Sequence, residues 1–230
     1  MKNKPIYVTQ PSLPPLEEYV ELLKEVWETG ILTHNGPKVI KFEEELKSKL
    51  NVDNLSVLSN GTVAIQVAIR ALKLKGEIIT TAFSWVATVS AIKYENCTPV
   101  FCDIDSETLN IDVTKIEELI TKDTVAIMPV HVFGTPCDVE AIEKIATKHN
   151  LKVIYDAAHA ISLHGTKLLN TAEGGACITK DINLHEKMKS IRFFGHDKNK
   201  DIIQDGMNGK MTEIHASLGL ANLKYYDEVL

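Results

Sequence analysis

The stretch Leu55-Ser56-Val57-Leu58-Ser59-Asn60-Gly61-Thr62-Val63-Ala64-Ile65-Gln66-Val67-Ala68-Ile69-Arg70-Ala71-Leu72 decides the fold class. Its first four residues form a short, almost wholly apolar run, the pattern of a strand buried on both faces. Ser59 to Thr62 is a turn built from capping residues and a glycine. The remainder carries apolar side chains at helical spacing. The alternation continues after it. Further strands are expected near Glu77–Thr80, Val100–Asp103, Val125–Val130, Val153–Tyr155 and Ala176–Thr179. Helical patterns at Thr62–Leu74, Val86–Tyr94, Val113–Thr121, Val139–His149 and Ile182–Ser190 separate most of them. Amphipathic helices are also expected at Leu16–Glu28, Val39–Leu50 and Thr212–Tyr226, with Gly30–Pro37 a loop. Strands alternating with helices predict an α/β domain, a mostly parallel sheet covered on both faces. Residues 1–15, with prolines at 5, 11, 14 and 15, read as an extended arm, and 16–230 as the domain.

Composition narrows the function classes. Of 230 residues, 44% are apolar and 24% charged, as in an ordinary globular domain, and the net charge of −6 has no compensating basic run. Neither general nucleic-acid binding nor membrane-surface binding is expected. Cys97, Cys102, Cys137 and Cys177 form no CxxC pair and no disulfide framework is expected; Cys97 and Cys102, in or beside an apolar stretch, read as buried free thiols. Without an apolar leader segment, the expected location is the cytoplasm.

In open sheets of this kind, ligands bind beyond the carboxyl ends of the strands. Several candidates fall there. Ser59-Asn60-Gly61-Thr62 offers free N–H groups at a helix start to an anion, or is a plain cap. Trp85, in Ala82-Phe83-Ser84-Trp85, could stack on a planar ring or pack in the core. Asp156 ends a strand with His159 three residues on. It could pair with a protonated ring nitrogen, cap a helix, or join His159 and His164 on a metal. Lys167, on a Ser/Gly/Thr-rich loop from Ser162 to Gly175, is a Schiff-base amine or a surface charge. The polar loop Gly206–Glu213, containing Asn208, opens the last helix. Together these residues supply what one cofactor needs, pyridoxal phosphate (PLP): a phosphate cradle, a ring-stacking aromatic, an acid for the ring nitrogen, and an amine.

The segments GILTHNGPKVIKFEEEL, LSNGTVAIQVAIRAL, TTAFSWVAT, PVFCDID, PVHVFGTPCD, VIYDAAHA, SLHGTK, NTAEGGA and MNGKMTEIHASLGLANL, in this order, resemble the DegT/DnrJ/EryC1/StrS aminotransferases, which aminate nucleotide-linked keto-sugars. The resemblance covers essentially the whole chain. It implies the large domain of a PLP transferase, with a sheet of the seven-stranded type. It implies that Lys167 bonds the cofactor covalently, that Asp156 pairs with its ring nitrogen, and that His159 lies near its ring hydroxyl. Trp85 would stack on the ring, while Gly61, Thr62 and Ser162 would hold the phosphate. Asn208 would reach the phosphate in a neighbouring subunit, making a homodimer with shared sites. The implied reaction passes an amino group from glutamate to a keto-sugar, with a bias toward 4-keto-6-deoxy sugars, in the line of lipopolysaccharide or O-antigen synthesis. A dehydratase branch has His in place of the lysine, so Lys167 favours transamination.

The chain departs from the family in two places. Members carry a longer connection, with a Gly-Asp pair, between the segments corresponding to DAAHA and SLHGTK, whereas Ala160 here runs directly into Ile161. Members also continue into a small C-terminal domain, which is expected to be missing here. The short connection is expected to alter the approach of Lys167. The alternative function is therefore a catalytically silent or truncated member acting as a dimeric scaffold.

Overall fold

The apolar run at Leu55–Leu58 is a strand, β1, buried along its whole length. The computed structural model describes residues 9–229, so most of the expected arm lies outside the described residues; Thr9–Pro15 is non-helical. In chain order the elements are α1 (Leu16–Thr29), α2 (Pro37–Leu50), β1, α3 (Gly61–Ala71), β2 (Glu77–Thr81), α4 (Val86–Tyr94), β3 (Thr98–Cys102), β4 (Thr124–Ile127), α5 (Val139–Lys148), β5 (Lys152–Val153), β6 (Gly175–Ile178), α6 (Ile182–Arg192), α7 (Glu213–Leu223) and the short α8 (Tyr226–Val229).

The α/β class with a parallel sheet is as expected. The strand arrangement is more divided than the seven-stranded expectation. Among the described residues six strands form two sheets, a parallel one in the order β3-β2-β4-β5 and an antiparallel pair of β1 and β6. The expected strand at Val153–Tyr155 is only two residues long. Its ladder resumes as an isolated parallel bridge between Val130 and Asp156. The expected helix at Val113–Thr121 is instead two 3-10 turns, Val113–Lys115 and Glu117–Leu119. That segment is short and rich in β-branched residues, which weakens a helix, and Ile116 between the turns is fully buried.

Helix α3 touches both sheets. Ile65 and Ile69 pack with Ile78 of β2 and Ala126 of β4. Ala64, Val67 and Ala71 pack with Leu58 of β1 and Cys177 of β6. The two sets lie on adjoining faces of one helix, because residues three and four apart share a face.

Two long-range polar contacts fix the flanking elements. Gly36 at the start of α2 has no capping side chain. Glu213 of α7 supplies one, accepting from the Lys38 and Val39 N–H groups at 2.7 and 3.0 Å. Arg192, only 1% exposed, reaches the Val57 carbonyl and Glu43, and Glu43 also accepts from the Val57 N–H.

Gly219 of α7 faces Phe42 of α2 so closely that an added Cβ would sit 2.6 Å from the Phe42 ring and 2.7 Å from the Thr171 methyl. Gly219→Ala gains about 1 kcal/mol of helix propensity, but overpacking costs about 1–3 kcal/mol. The expected net result is a lower urea midpoint, partly restored when Phe42→Leu is combined with it.

Candidate active site

The Val130–Asp156 bridge brings the loop after β4 and the end of β5 side by side. Asp156 N–H donates to the Pro129 carbonyl at 2.9 Å, and His131 N–H donates to the Asp156 carbonyl at 3.0 Å. The Asp156 side chain is buried. Ala158 N–H donates to Oδ1 at 3.0 Å and the Thr88 hydroxyl to Oδ2 at 2.8 Å. Ser84 Oγ lies 2.8 Å from Thr88 Oγ1. Because the carboxylate claims the Thr88 proton, Ser84 is the donor to Thr88, and the relay runs Ser84 to Thr88 to Asp156. Among the described residues no lysine or arginine pairs with Asp156. It is a buried carboxylate held by neutral donors alone, and such a group calls for a cation.

His159 lies in the turn that follows. Its ring stacks on Phe133 at 6.0 Å and 15°, and the Phe133 N–H donates to Nδ1 at 3.5 Å. Phe133 is left-handed, with φ of 51°, and meets Phe83 edge-on at 6.2 Å. Burial lowers the His159 pKa, the Lys167 charge lowers it further, and Asp156 opposes both.

Lys167 is half-buried on a loop that closes on itself. Thr171 N–H and Oγ1 both donate to the Leu163 carbonyl, at 2.9 and 3.1 Å. Asn170 donates to the Ser12 carbonyl and accepts at its own carbonyl from Asn222 of α7, both at 2.8 Å. Ser162 does not join the α3 start through any hydrogen bond; its hydroxyl accepts from His164 N–H at 3.3 Å.

At that start, Asn60 caps α3 by accepting from Val63 N–H at 2.9 Å. Gly61 and Thr62 are its first residues, whose N–H groups have no partner within the helix. Side chains would find open space in front of Gly61, with nothing within 4 Å of an added Cβ. Gly175 of β6 passes behind the same turn, where a Cβ would come within 2.4 Å of Asn60. Trp85, 73% exposed, stands at the N-cap of α4, next to the Ser84 hydroxyl. Asn208 is exposed and accepts from Lys210 Nζ at 2.5 Å. The Gly209 carbonyl beside it accepts from Ser59 N–H at 2.9 Å. Thr88, Ser84, Phe133 and Asn170 were missed in the sequence. The available signal for Thr88 was its spacing, one helical turn from Ser84 within an apolar helix. No set of three or more metal-ligating side chains gathers among the described residues, which leaves the metal reading of His159, His164 and Asp156 without support. No helix among them is long and apolar enough to cross a membrane.

Comparison with known proteins matches the DegT/DnrJ/EryC1/StrS aminotransferase family over residues 16–164 and 160–230. The chain belongs to this family. It is 45% identical over 246 residues to a dTDP-4-amino-4,6-dideoxy-D-glucose transaminase of Shigella dysenteriae, covering 99% of this chain and 67% of that protein. Among solved structures it resembles DesI, determined in the presence of its TDP-sugar product, with a TM-score of 0.94 and 31% identity over 98% of this chain and 62% of that one. It also resembles NtdA from Bacillus subtilis with bound cofactor PMP, with a TM-score of 0.85 and 32% identity over 99% and 58%. The chain thus spans about two thirds or less of the length of these relatives. The Shigella alignment is longer than the chain, so that relative carries residues without counterpart here. The family match divides at residues 160–164, where the short connection lies.

Thr88→Val removes the donor to Asp156 Oδ2 and the acceptor for Ser84. It should lower stability by about 1–3 kcal/mol, measured by urea unfolding, with Thr88→Ser restoring most of it. Burial also holds the pKa values of His131, His159, His185 and His215 below the ordinary 6.5. As pH falls through 6.5 the unfolded chain takes up protons before the folded one does, so stability is present above this value and declines below it. The urea midpoint should drop between about pH 7.5 and about pH 5.5; an unchanged or higher midpoint at the lower pH would contradict this.

Proposed function

We propose that the chain is the cofactor-binding part of a PLP-dependent aminotransferase acting on a nucleotide-linked keto-sugar, with glutamate as donor. The observation that carries this reading is Asp156, buried and held by two neutral hydrogen-bond donors. A protonated pyridine nitrogen matches that carboxylate in charge and in hydrogen-bonding sense. Family membership supports the same assignment, as do the relatives named for amino-sugar transamination.

PLP, when bound, supplies an electrophilic carbon and an electron-withdrawing ring. The protein's own residues then have distinct tasks. Asp156 would hold a proton on the ring nitrogen, and the Ser84–Thr88 relay would fix the position of its carboxylate. The N–H groups of Gly61 and Thr62 and the Thr62 hydroxyl take the phosphate at the α3 start, aided by the helix dipole. Trp85 would cover one face of the ring, and His159, stacked on Phe133, would stand beside the ring hydroxyl. Asn208 of a neighbouring subunit would add a phosphate donor in a homodimer, as would Ser162 if its hydroxyl turned from His164. Lys167 would be the covalent anchor of the cofactor and, once released from it, the base that moves the proton during transfer.

Two observations favour the alternative of a catalytically silent scaffold. The family match falls in two segments that meet at residues 160–164, and Ser162 makes no hydrogen bond to the α3 start. Incubation with PLP followed by borohydride reduction separates the readings. A working site gives a covalent adduct on Lys167, identified by peptide mass, and none in Lys167→Ala. Adduct formation without amino transfer to a panel of nucleotide-linked keto-sugars identifies a scaffold that retains its cofactor. Absence of any specific adduct overturns the assignment of Lys167.

A further inference from the structure

Phe133 combines a strained backbone with little burial. Its φ of 51° is left-handed, a conformation that a Cβ makes unfavourable, and its side chain is 74% exposed. Such strain persists only where the surroundings impose it. Here they do. Val132 is buried, and its N–H donates to Asn110 Oδ1 at 2.9 Å. The Asn110 amide, itself buried, donates to the Thr135 and Pro136 carbonyls, each at 3.1 Å. Gly134 and Thr135 N–H close onto the His131 and Val132 carbonyls at 3.2 and 2.9 Å. The turn is thus clamped before and after Phe133, and the Phe133 N–H takes no part in closing it.

That N–H donates instead to His159 Nδ1 at 3.5 Å, while the two rings stack at 6.0 Å and 15°. A ring nitrogen that accepts carries no proton, so in the neutral imidazole the proton sits on Nε2. Nε2 makes no hydrogen bond among the described residues. Burial and the Lys167 charge favour the neutral ring and Asp156 opposes them; these are the charged groups that act on it. His159 therefore keeps one N–H to give.

We infer that Phe133 is a positioning residue, whose backbone N–H and ring fix His159 as the Nε2–H tautomer, a hydrogen-bond donor to an anionic oxygen of the ligand. The direction of that donor is set by a turn built from Asn110 and Val132, away from the histidine's own segment. A donor at this place stabilises an ionised hydroxyl, whereas the other tautomer would present a lone pair and favour the protonated one. That the oxygen belongs to the ring hydroxyl of PLP rests on the function proposed above. The tautomer and the part Phe133 plays in setting it do not.

Long-range proton–nitrogen correlation spectra of the whole chain, with isotope-labelled histidine, read the tautomer directly, and His159→Gln identifies its signal. The expected parent spectrum at about pH 7.5 is a neutral ring protonated at Nε2. Phe133→Gly relieves the left-handed strain and keeps the N–H but removes the stack. Its urea midpoint should stay close to the parent's, while His159 becomes a mixture of tautomers and its pKa rises toward 6.5. Phe133→Tyr should restore the parent spectrum. A parent ring protonated at Nδ1 overturns the proposal without any variant, and so does a Phe133→Gly chain with His159 tautomer and pKa unchanged. Titration of the visible absorbance of added PLP gives the second reading. Loss of the donor should move its transition to higher pH by about half a unit or more in Phe133→Gly, and an unmoved transition overturns the cofactor oxygen as the acceptor. If no form of the chain binds PLP, the cofactor reading fails while the spectra of the unliganded chain still decide the role of Phe133.

Discussion

The burial of α3 between two sheets is the constraint on which the rest of the structure depends. Its small residues, Ala64, Val67 and Ala71, let β1 and β6 approach, while Ile65 and Ile69 fill the volume against β2 and β4. A helix with one apolar face could cover one sheet only. Two adjoining apolar faces make α3 a structural link between sheets that share no strand-to-strand ladder. The same helix presents its N-terminus, with Gly61 and Thr62, in the loop region where Gly175 and Gly209 also converge. Packing and the proposed anion site are thus coupled through one element, because the side chains that seat α3 also set where its free N–H groups point.

Much of this was legible in residue patterns. Near-continuous apolar runs gave β1 and the helix Val86–Tyr94 to the residue, and most other elements within a few positions. Errors came where local and tertiary preferences diverged. Val113–Thr121 has helical apolar spacing, but its β-branched residues and the anchoring of Ile116 break it into turns. Asp156 and Lys167 were recognisable because a carboxylate ending an apolar strand and a lysine in a glycine-rich loop stand out from their surroundings. Thr88 and Phe133 did not stand out. A threonine in a helix and a phenylalanine before a glycine are common, and only the folded chain brings one to Asp156 and the other to His159. The cap that Glu213 gives α2 spans 175 residues of sequence and has no local signature.

The direct junction of Ala160 and Ile161 has a physical counterpart in the fold. Between Asp156 and Gly175 there is no strand, and the sheet divides across that interval. A turn at 158–160 leads almost at once into the loop tied between Leu163 and Thr171. Leu163 and Leu169 are seated in the core around β1, α2 and α7, so the loop's anchorage is set from that side. Ser162, next to the anchored Leu163, has little freedom to reach the α3 start and bonds locally to His164 instead. Lys167 lies five residues beyond Ser162, and its charge contributes to lowering the His159 pKa. On the proposed reading, the shortened connection bears more on the phosphate side of the site than on the amine side.

The choice of neutral donors around Asp156 explains how such a cluster can serve an incoming cation. A lysine or arginine beside the carboxylate would satisfy its charge permanently, and a ligand would have to displace it at the cost of exposing a second buried ion. Hydroxyl and amide donors stabilise the ionised form without consuming its charge. Thr88 is well suited to this, because its single proton goes to Asp156 and its lone pair accepts from Ser84, which polarises the bond further. The arrangement leaves a net negative group in a water-poor setting, where its attraction for a protonated nitrogen is stronger than in bulk solvent. Lys210 presents the converse, a buried cation steadied by rings and an amide oxygen. On the proposed reading, a ligand with a cationic ring nitrogen finds in Asp156 a carboxylate whose hydrogen-bond donors carry no charge of their own.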